Sequence, residues 1–200
     1  AIIRNMPGQF GAPAKVSITE NNNKININVL SYDATGNLTS EVSQTMKKNL
    51  AEYLSNYRMI NDYVVIGSAE VIDLALDISV VLDATQNQGV VISNIVDRVT
   101  TFFSPTVRGL GENIVLSELN RILQAENGVL SVTDISVFNK VGGQYSSAQT
   151  AMPYSDAATK KISLVDNTIF AEPNQIYQVH FPTKDITVRV KNYQTTNFSW

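Results

Sequence analysis

Cysteine is absent from the 200 residues, and histidine occurs once. The first absence excludes disulfides and thiolate metal sites, and it fits a reducing compartment. The second leaves too few imidazoles for a transition-metal site and makes His180 the sole candidate for histidine-dependent catalysis. Charge is scarce as well: Asp, Glu, Lys and Arg make up 16% of the chain, against about 25% in soluble domains. Asn, Ser, Thr and Gln fill the expected loops instead, giving a surface that hydrates well but repels other proteins little. No apolar run approaches the length that spans a bilayer, and no signal-peptide pattern opens the sequence.

What charge there is sums to −3, and the only adjacent basic pairs are Lys47-Lys48 and Lys160-Lys161. Phosphate backbones need clustered Lys and Arg, so nucleic acid is not expected as a partner, and neither is a membrane. Catalytic motifs are equally thin. His180 sits between Val179 and Phe181-Pro182 with no organised serine nucleophile before it. Gly109-Leu110-Gly111 lacks the third glycine and the strand of a dinucleotide fingerprint. Asp73 and Asp77 share a strand face, where solvated charge is the simpler reading than acid–base work. Asp33-Ala34-Thr35-Gly36-Asn37 and Asp83-Ala84-Thr85-Gln86-Asn87 lack the length and closing Glu of a calcium loop; turns and helix caps explain them. The reading is therefore no enzyme, no cofactor and no metal.

The chain does carry strong periodicity. Ile72, Leu74, Leu76, Ile78, Val80 and Leu82 alternate with Asp73, Ala75, Asp77, Ser79 and Val81, a strand with one buried face and one mostly polar face. Val16 and Ile18, then Ile25, Ile27 and Val29, predict a hairpin around Asn21-Asn22-Asn23. Val42, Met46, Leu50, Tyr53, Leu54 and Tyr57 form an apolar helical stripe over 39–57, with Thr39 or Ser40 as cap. A second helix is expected over 88–104, stopped by Pro105. Ser117 is read as the cap of a short helix that Gly128 ends in a left-handed conformation. Gly67-Ser68 predicts a bulge or bend in the long strand. The expected core includes Leu50, Leu54, Leu74, Leu76, Ile95 and Val99.

These elements predict an α+β fold: a split βαβ (ferredoxin-like) sheet with both main helices on one face, plus a small β-rich C-terminal extension. The organisation reads as a connector at 1–14, the split βαβ domain at 15–139 and a loop and short strands at 140–200. The start at Ala1-Ile2-Ile3 without methionine predicts a fragment of a longer chain. Tyr193, Phe198 and Trp200 offer aromatic anchors for an interface, or alternatively for stacking on a sugar.

The order of motifs adds a resemblance. Arg58-Met59-Ile60 ends the first helix, and Val64-Val65-Ile66-Gly67-Ser68-Ala69 opens the long strand. Leu116-Ser117-Glu118-Leu119 and Asn127-Gly128-Val129-Leu130-Ser131-Val132 follow after Pro105 and Gly111. Over roughly Lys15 to Phe138 this resembles the baseplate J-like family of contractile-tailed bacteriophages, in particular its inner-ring wedge members. The resemblance implies a structural virion protein of the tail baseplate, assembled in the host cytoplasm. It implies a homodimer whose contacts within and between wedges close a ring around the tail tube, with other wedge proteins bound. The alternative left open by the residues is a hydrolase or a carbohydrate- or host-surface-binding module.

Overall fold

The computed structural model describes residues 3, 13–21, 24–34, 36–57 and 63–191. Strands β1 (Lys15–Asn21) and β2 (Lys24–Tyr32) form the expected antiparallel hairpin, with Val16 opposite Val29 and Ile18 opposite Ile27. The short β3 (Leu38–Thr39) returns against the end of β2. Helix α1 (Gln44–Ser55) then crosses over to β4 (Tyr63–Ser68), which lies parallel to β2. A parallel neighbour requires such a crossover, and the helix supplies it while covering the apolar face.

At Ala69 the chain changes sheets. Its amide bonds Val29 O at 2.9 Å, whereas the next amide, of Glu70, bonds Asn174 O at 2.7 Å. Strand β5 (Glu70–Leu82) becomes the centre of a second sheet. Helix α2 (Gln88–Phe102), strand β6 (Ile114–Val115) and helix α3 (Leu116–Gln124) lead to β7 (Val129–Lys140), antiparallel to β5. Then come β8 (Tyr154–Asp156), β9 (Lys161–Ile162), β10 (Thr168–Ile169), β11 (Gln175–Gln178), the single-turn α4 (Pro182–Asp185) and β12 (Ile186–Val190). Both β11 and β12 run parallel along one edge of β5, the first at 70–73 and the second at 76–80. On the far side β9 and β8 extend the sheet beyond β7, and β6 with β10 makes a separate two-stranded piece.

The class is α+β. Its internal arrangement departs from a single split sheet with helices on one face. The stripe of α1 packs with Ile27, Val29, Val64 and Ile66 of the first sheet. The stripe of α2, Val91, Ile95, Val99 and Phe102, packs on Ile72 to Leu82 of the second. A third small cluster of Leu30, Leu38, Ala69, Val71 and Ile176 fills the seam where the sheets meet. Each helix covers its own sheet, α1 beside β4 and α2 beside β12, and the sheet switch at Ala69 separates the two layers. Residues from the 140–191 segment, among them Met152, Ile162, Tyr177 and Ile186, complete the larger core.

Local expectations divide in an instructive way. Asn87 caps α2, its side chain accepting from the amides of Gly89 and Val90. Gly128 is left-handed, with φ +90, but it does not end α3: the helix stops at Gln124 with Ala125 as its C-cap, and Gly128 belongs to the turn, closed by Val129 N to Glu126 O, that leads into β7. Ser43, not Thr39 or Ser40, caps α1, because Leu38 is buried and draws its neighbours into β3. Ser117 lies inside α3, whose cap position is Val115. No bulge interrupts the ladder to β2 at Gly67 and Ser68; the break there is the change of sheets at Ala69, and the bulges fall in β7, beside Ser79–Val80 and Val81–Leu82. Of the expected core, Leu50, Leu74, Leu76, Ile95 and Val99 are fully buried, while Leu54 is half-buried and Tyr57 exposed at the helix end. Most of the connector at 1–14, the Arg58-Met59-Ile60 motif, and Asn22-Asn23 lie outside the described residues.

Candidate functional site

The three aromatic residues read as interface anchors, Tyr193, Phe198 and Trp200, lie outside the described residues. The chemistry-bearing groups that the fold does bring together cluster at the seam between the sheets. Asp73, expected on a solvated face, is only 1% exposed. It sits in β5 beside Gln178 of β11, its register partner, so the two side chains share a face. The Gln178 Nε2 donates to Asp73 Oδ1 at 2.8 Å, and the Ser146 amide donates to Asp73 Oδ2 at 2.7 Å. A buried carboxylate whose two oxygens each accept a hydrogen bond is satisfied, which is why burial here is tolerated. Asp77, two residues on, is partly open and takes a bidentate contact from Arg189 of β12 at 2.8 Å.

The Gly142-Gly143 turn brings Ser146 to that carboxylate. Both glycines have positive φ, +81 and +65, and Gly142 N bonds Ser146 O at 3.0 Å. Just beyond, Asn139 pins the following segment: its amide nitrogen donates to Asp73 O, and its oxygen accepts from Thr150 N and Tyr154 OH. Tyr145 reaches α4, donating to Asp185 Oδ1 at 2.6 Å, while Phe181 N donates to Asp185 Oδ2 at 2.9 Å. Burial, then the bond to Asp185, push the Tyr145 hydroxyl up to about 12. The Lys184 ammonium stands 5.4 Å from the centre of the Tyr145 ring.

His180 completes the cluster. Its Nδ1 is 3.3 Å from Gln178 Nε2 and 3.8 Å from Asp73 Oδ1. Among the described residues no hydrogen bond joins it to a serine, so the order Ser–His–Asp that a hydrolase needs is not assembled at this histidine. Two open cavities flank it. The larger, about 450 Å³, is lined from the first sheet by Thr39, Ser40 and Glu41 and from the second by Asp73 and residues 142–147. The smaller, about 370 Å³, is lined by Tyr32, Leu38, Pro105 and Thr106. Leu38, Gln178 and His180 border both.

Elsewhere the fold absorbs the remaining motifs into structure. Glu112 accepts from Arg108 at 2.6 Å and from Gly109 N at 2.6 Å, and Gly111 N bonds Gln175 O. Gly111 has φ +72, and a Cβ there would lie 3.1 Å from Pro173 Cα, so Gly-x-Gly is a close-approach turn. Asp83 accepts from the amide and hydroxyl of Thr85, which hold its carboxyl below the ordinary value. Among the described residues no group of three or more His, Cys, Asp or Glu could hold a metal ion. No described helix is long and apolar enough to cross a membrane.

One surface was not foreseen. On the β6–β10 piece, Ile114 and Ile169 face inward, so Val115, Thr168 and Phe170 face out; Val165, bridged to Thr168, joins them. Sequence pattern reveals the apolar residues but not which side of a two-residue ladder meets solvent.

No family model matches the sequence, and no curated protein matches it. Among solved structures, the chain is similar to one in the cryo-EM structure of the anti-feeding prophage baseplate, 6-fold symmetrised, with a TM-score of 0.55. The identity is 10%, and the match covers 88% of this chain but 36% of that one. The chain thus spans about a third of the length of the baseplate chain, and what the two share is the fold.

Proposed function

We propose that this chain is a structural part of a contractile-tail baseplate, in the manner of the T4-type inner-ring wedge proteins of the baseplate J-like family. The observation that carries this reading is a shared fold extending over most of the chain with a protein of a baseplate. On this reading residues 15–139 are the J-like domain and 140–200 its extension. The chain works in the virion tail after assembly in the host cytoplasm, without catalysis and without nucleic acid or membrane as partner. Its partners are a second copy of itself and other wedge proteins, joined within and between wedges into a ring around the tube.

The weakly charged surface supports close approach of like chains, and the outward apolar face of β6–β10 supports a contact. A stable two-fold contact should bury on the order of 1,200–2,000 Å² in total. The test uses the full-length protein. Sedimentation at micromolar concentration should show a dimer, and cryo-EM of purified tails should place the chain in the inner ring. A monomer in solution, together with tails that lack the protein by mass spectrometry, would overturn the proposal.

A further inference from the structure

His180 is the only histidine of the sequence, and imidazole is the side chain that ordinarily changes charge between pH 5 and 8. Its surroundings fix what that change must do. Asp73 carboxylate oxygens only accept, so the Gln178 atom 2.8 Å from Oδ1 is the amide nitrogen, a donor. The same nitrogen lies 3.3 Å from His180 Nδ1. In the arrangement observed, Nδ1 therefore accepts, and the ring proton of the neutral imidazole sits on Nε2. A second proton would put N–H at Nδ1 against an NH₂ group, donor against donor. The acceptor nearest to hand is Asp73 Oδ1, 3.8 Å away, the oxygen that Gln178 now holds.

We propose that the Asp73–Gln178–His180 cluster is a pH-sensitive latch on the seam between the two sheets. Protonation of His180 moves the ring onto Asp73 Oδ1 and expels the Gln178 amide. The Asp73 charge is then shared with an imidazolium, and its pull on Ser146 N through Oδ2 weakens. Ser146 belongs to the glycine turn at 142–147 that walls the larger cavity, so the change at the ring reaches the loop that closes the seam. The His180 side chain is 19% exposed and borders both cavities, which gives the proton a path from solvent.

The charged and titratable groups around the ring come from each packed element. Asp73 faces it from β5. Tyr145 stands edge-on from the loop, 6.3 Å between ring centres, and is neutral across this range. Asp185, beyond Tyr145, and Lys184, over the rings of Tyr145 and Phe181, come from α4. Asp33 and Glu41 line the larger cavity from the segments on either side of β3. Carboxylates outnumber the single ammonium, so a positive imidazole is accommodated without a repelling neighbour in contact.

The experiment is an NMR titration of the isotopically labelled protein from pH 5 to 8. At the alkaline end the His180 ring nitrogens should report the Nε2–H tautomer. The Gln178 side-chain NH₂ and the Ser146 backbone amide should shift with the same midpoint as the imidazole. In His180→Gln both shifts should vanish. In Asp73→Asn the ring should still titrate while the Ser146 shift is lost. Ser146 and Gln178 signals that stay fixed while the wild-type ring titrates would overturn the latch, as would shifts that persist unchanged in His180→Gln. The wild-type titration decides even where the Asp73 variant folds poorly.

Discussion

Tyr145 donates its phenolic hydrogen to Oδ1 of Asp185 across 2.6 Å, fastening the glycine turn of one strand connection to the single helical turn between β11 and β12. Asp185 is 2% exposed, so the bond supplies a partner that solvent cannot replace. The folded chain holds the Tyr145 proton more tightly than the unfolded chain, whose phenol titrates at the ordinary 10.0. The stabilisation from this group is therefore whole below pH 10.0 and declines as pH rises through about 12. Tyr145→Phe should lower stability at neutral pH by about 1–3 kcal/mol, because a buried acceptor loses its donor. It should also flatten the alkaline fall of the melting temperature. Melting curves from neutral to strongly alkaline pH, beside tyrosinate absorbance, measure both.

Leu50→Ala and Leu76→Ala should each cost about 2–5 kcal/mol, since both side chains are fully buried. They lie in different cores. Amide hydrogen exchange should therefore quicken in β2 and β4 for the first variant, and across β5 and β7 for the second. Equal acceleration in both sheets for either variant would show one cooperative unit instead.

Gly128→Ala should destabilise by more than the about 1–2 kcal/mol of left-handed strain alone. A Cβ at that position would stand 2.7 Å from Val91 Cγ2, against the helix face that anchors the larger core. Gly142→Ala is the control: its φ is +81, but nothing lies within 4 Å of the added atom. Urea midpoints of the two variants should separate strain from clash.

Two arginines pair with carboxylates at similar distances, 2.6 Å for Arg108 and 2.7 Å for Arg189. Their substitution should nonetheless differ. The Arg189 side chain is 66% exposed, so Arg189→Ala should leave stability close to the parent's, with any loss smaller still at high salt. Arg108 is buried, donates to Phe102 O at 2.8 Å and lies over the Phe102 ring at 3.9 Å. Arg108→Ala should cost about 1–3 kcal/mol through the orphaned carbonyl and lost packing. Denaturation at two salt concentrations distinguishes the cases.

Phe170→Asp tests the proposed assembly role of the β6–β10 face. The side chain is 46% exposed, and its carbonyl, which accepts from Tyr177 OH, is unaffected by the change. Stability should stay within about 0.5 kcal/mol of the parent, while dimer or ring formation by the full-length protein falls. A variant that assembles normally removes this face from the contact.

Much of the secondary structure was legible because periodicity and capping act over a few residues. The alternation from Ile72 to Leu82 marked a strand, and Asn87 marked the start of α2, through interactions each makes with its immediate neighbours. The same local logic failed where a competing element was short: two residues of β3 displaced the start of α1, and no periodic signal announces a two-residue strand.

What the sequence by itself determined, then, was which faces are apolar and where the chain turns. Only the tertiary structure decided what those faces meet. Gly67-Ser68 marks a bend in the run from Tyr63 to Leu82, but nothing local shows that Ala69 hands the strand from one sheet to another, because both halves are written in apolar, strand-forming residues. Nor does Asp73 reveal its burial: a carboxylate is solvated or interior according to whether donors reach it, and these come from Ser146 and Gln178, far along the chain. Period reports on neighbours in sequence, while burial of a polar group depends on partners delivered by folding. That difference is why the strands could be read in advance and the seam cluster around His180 could not.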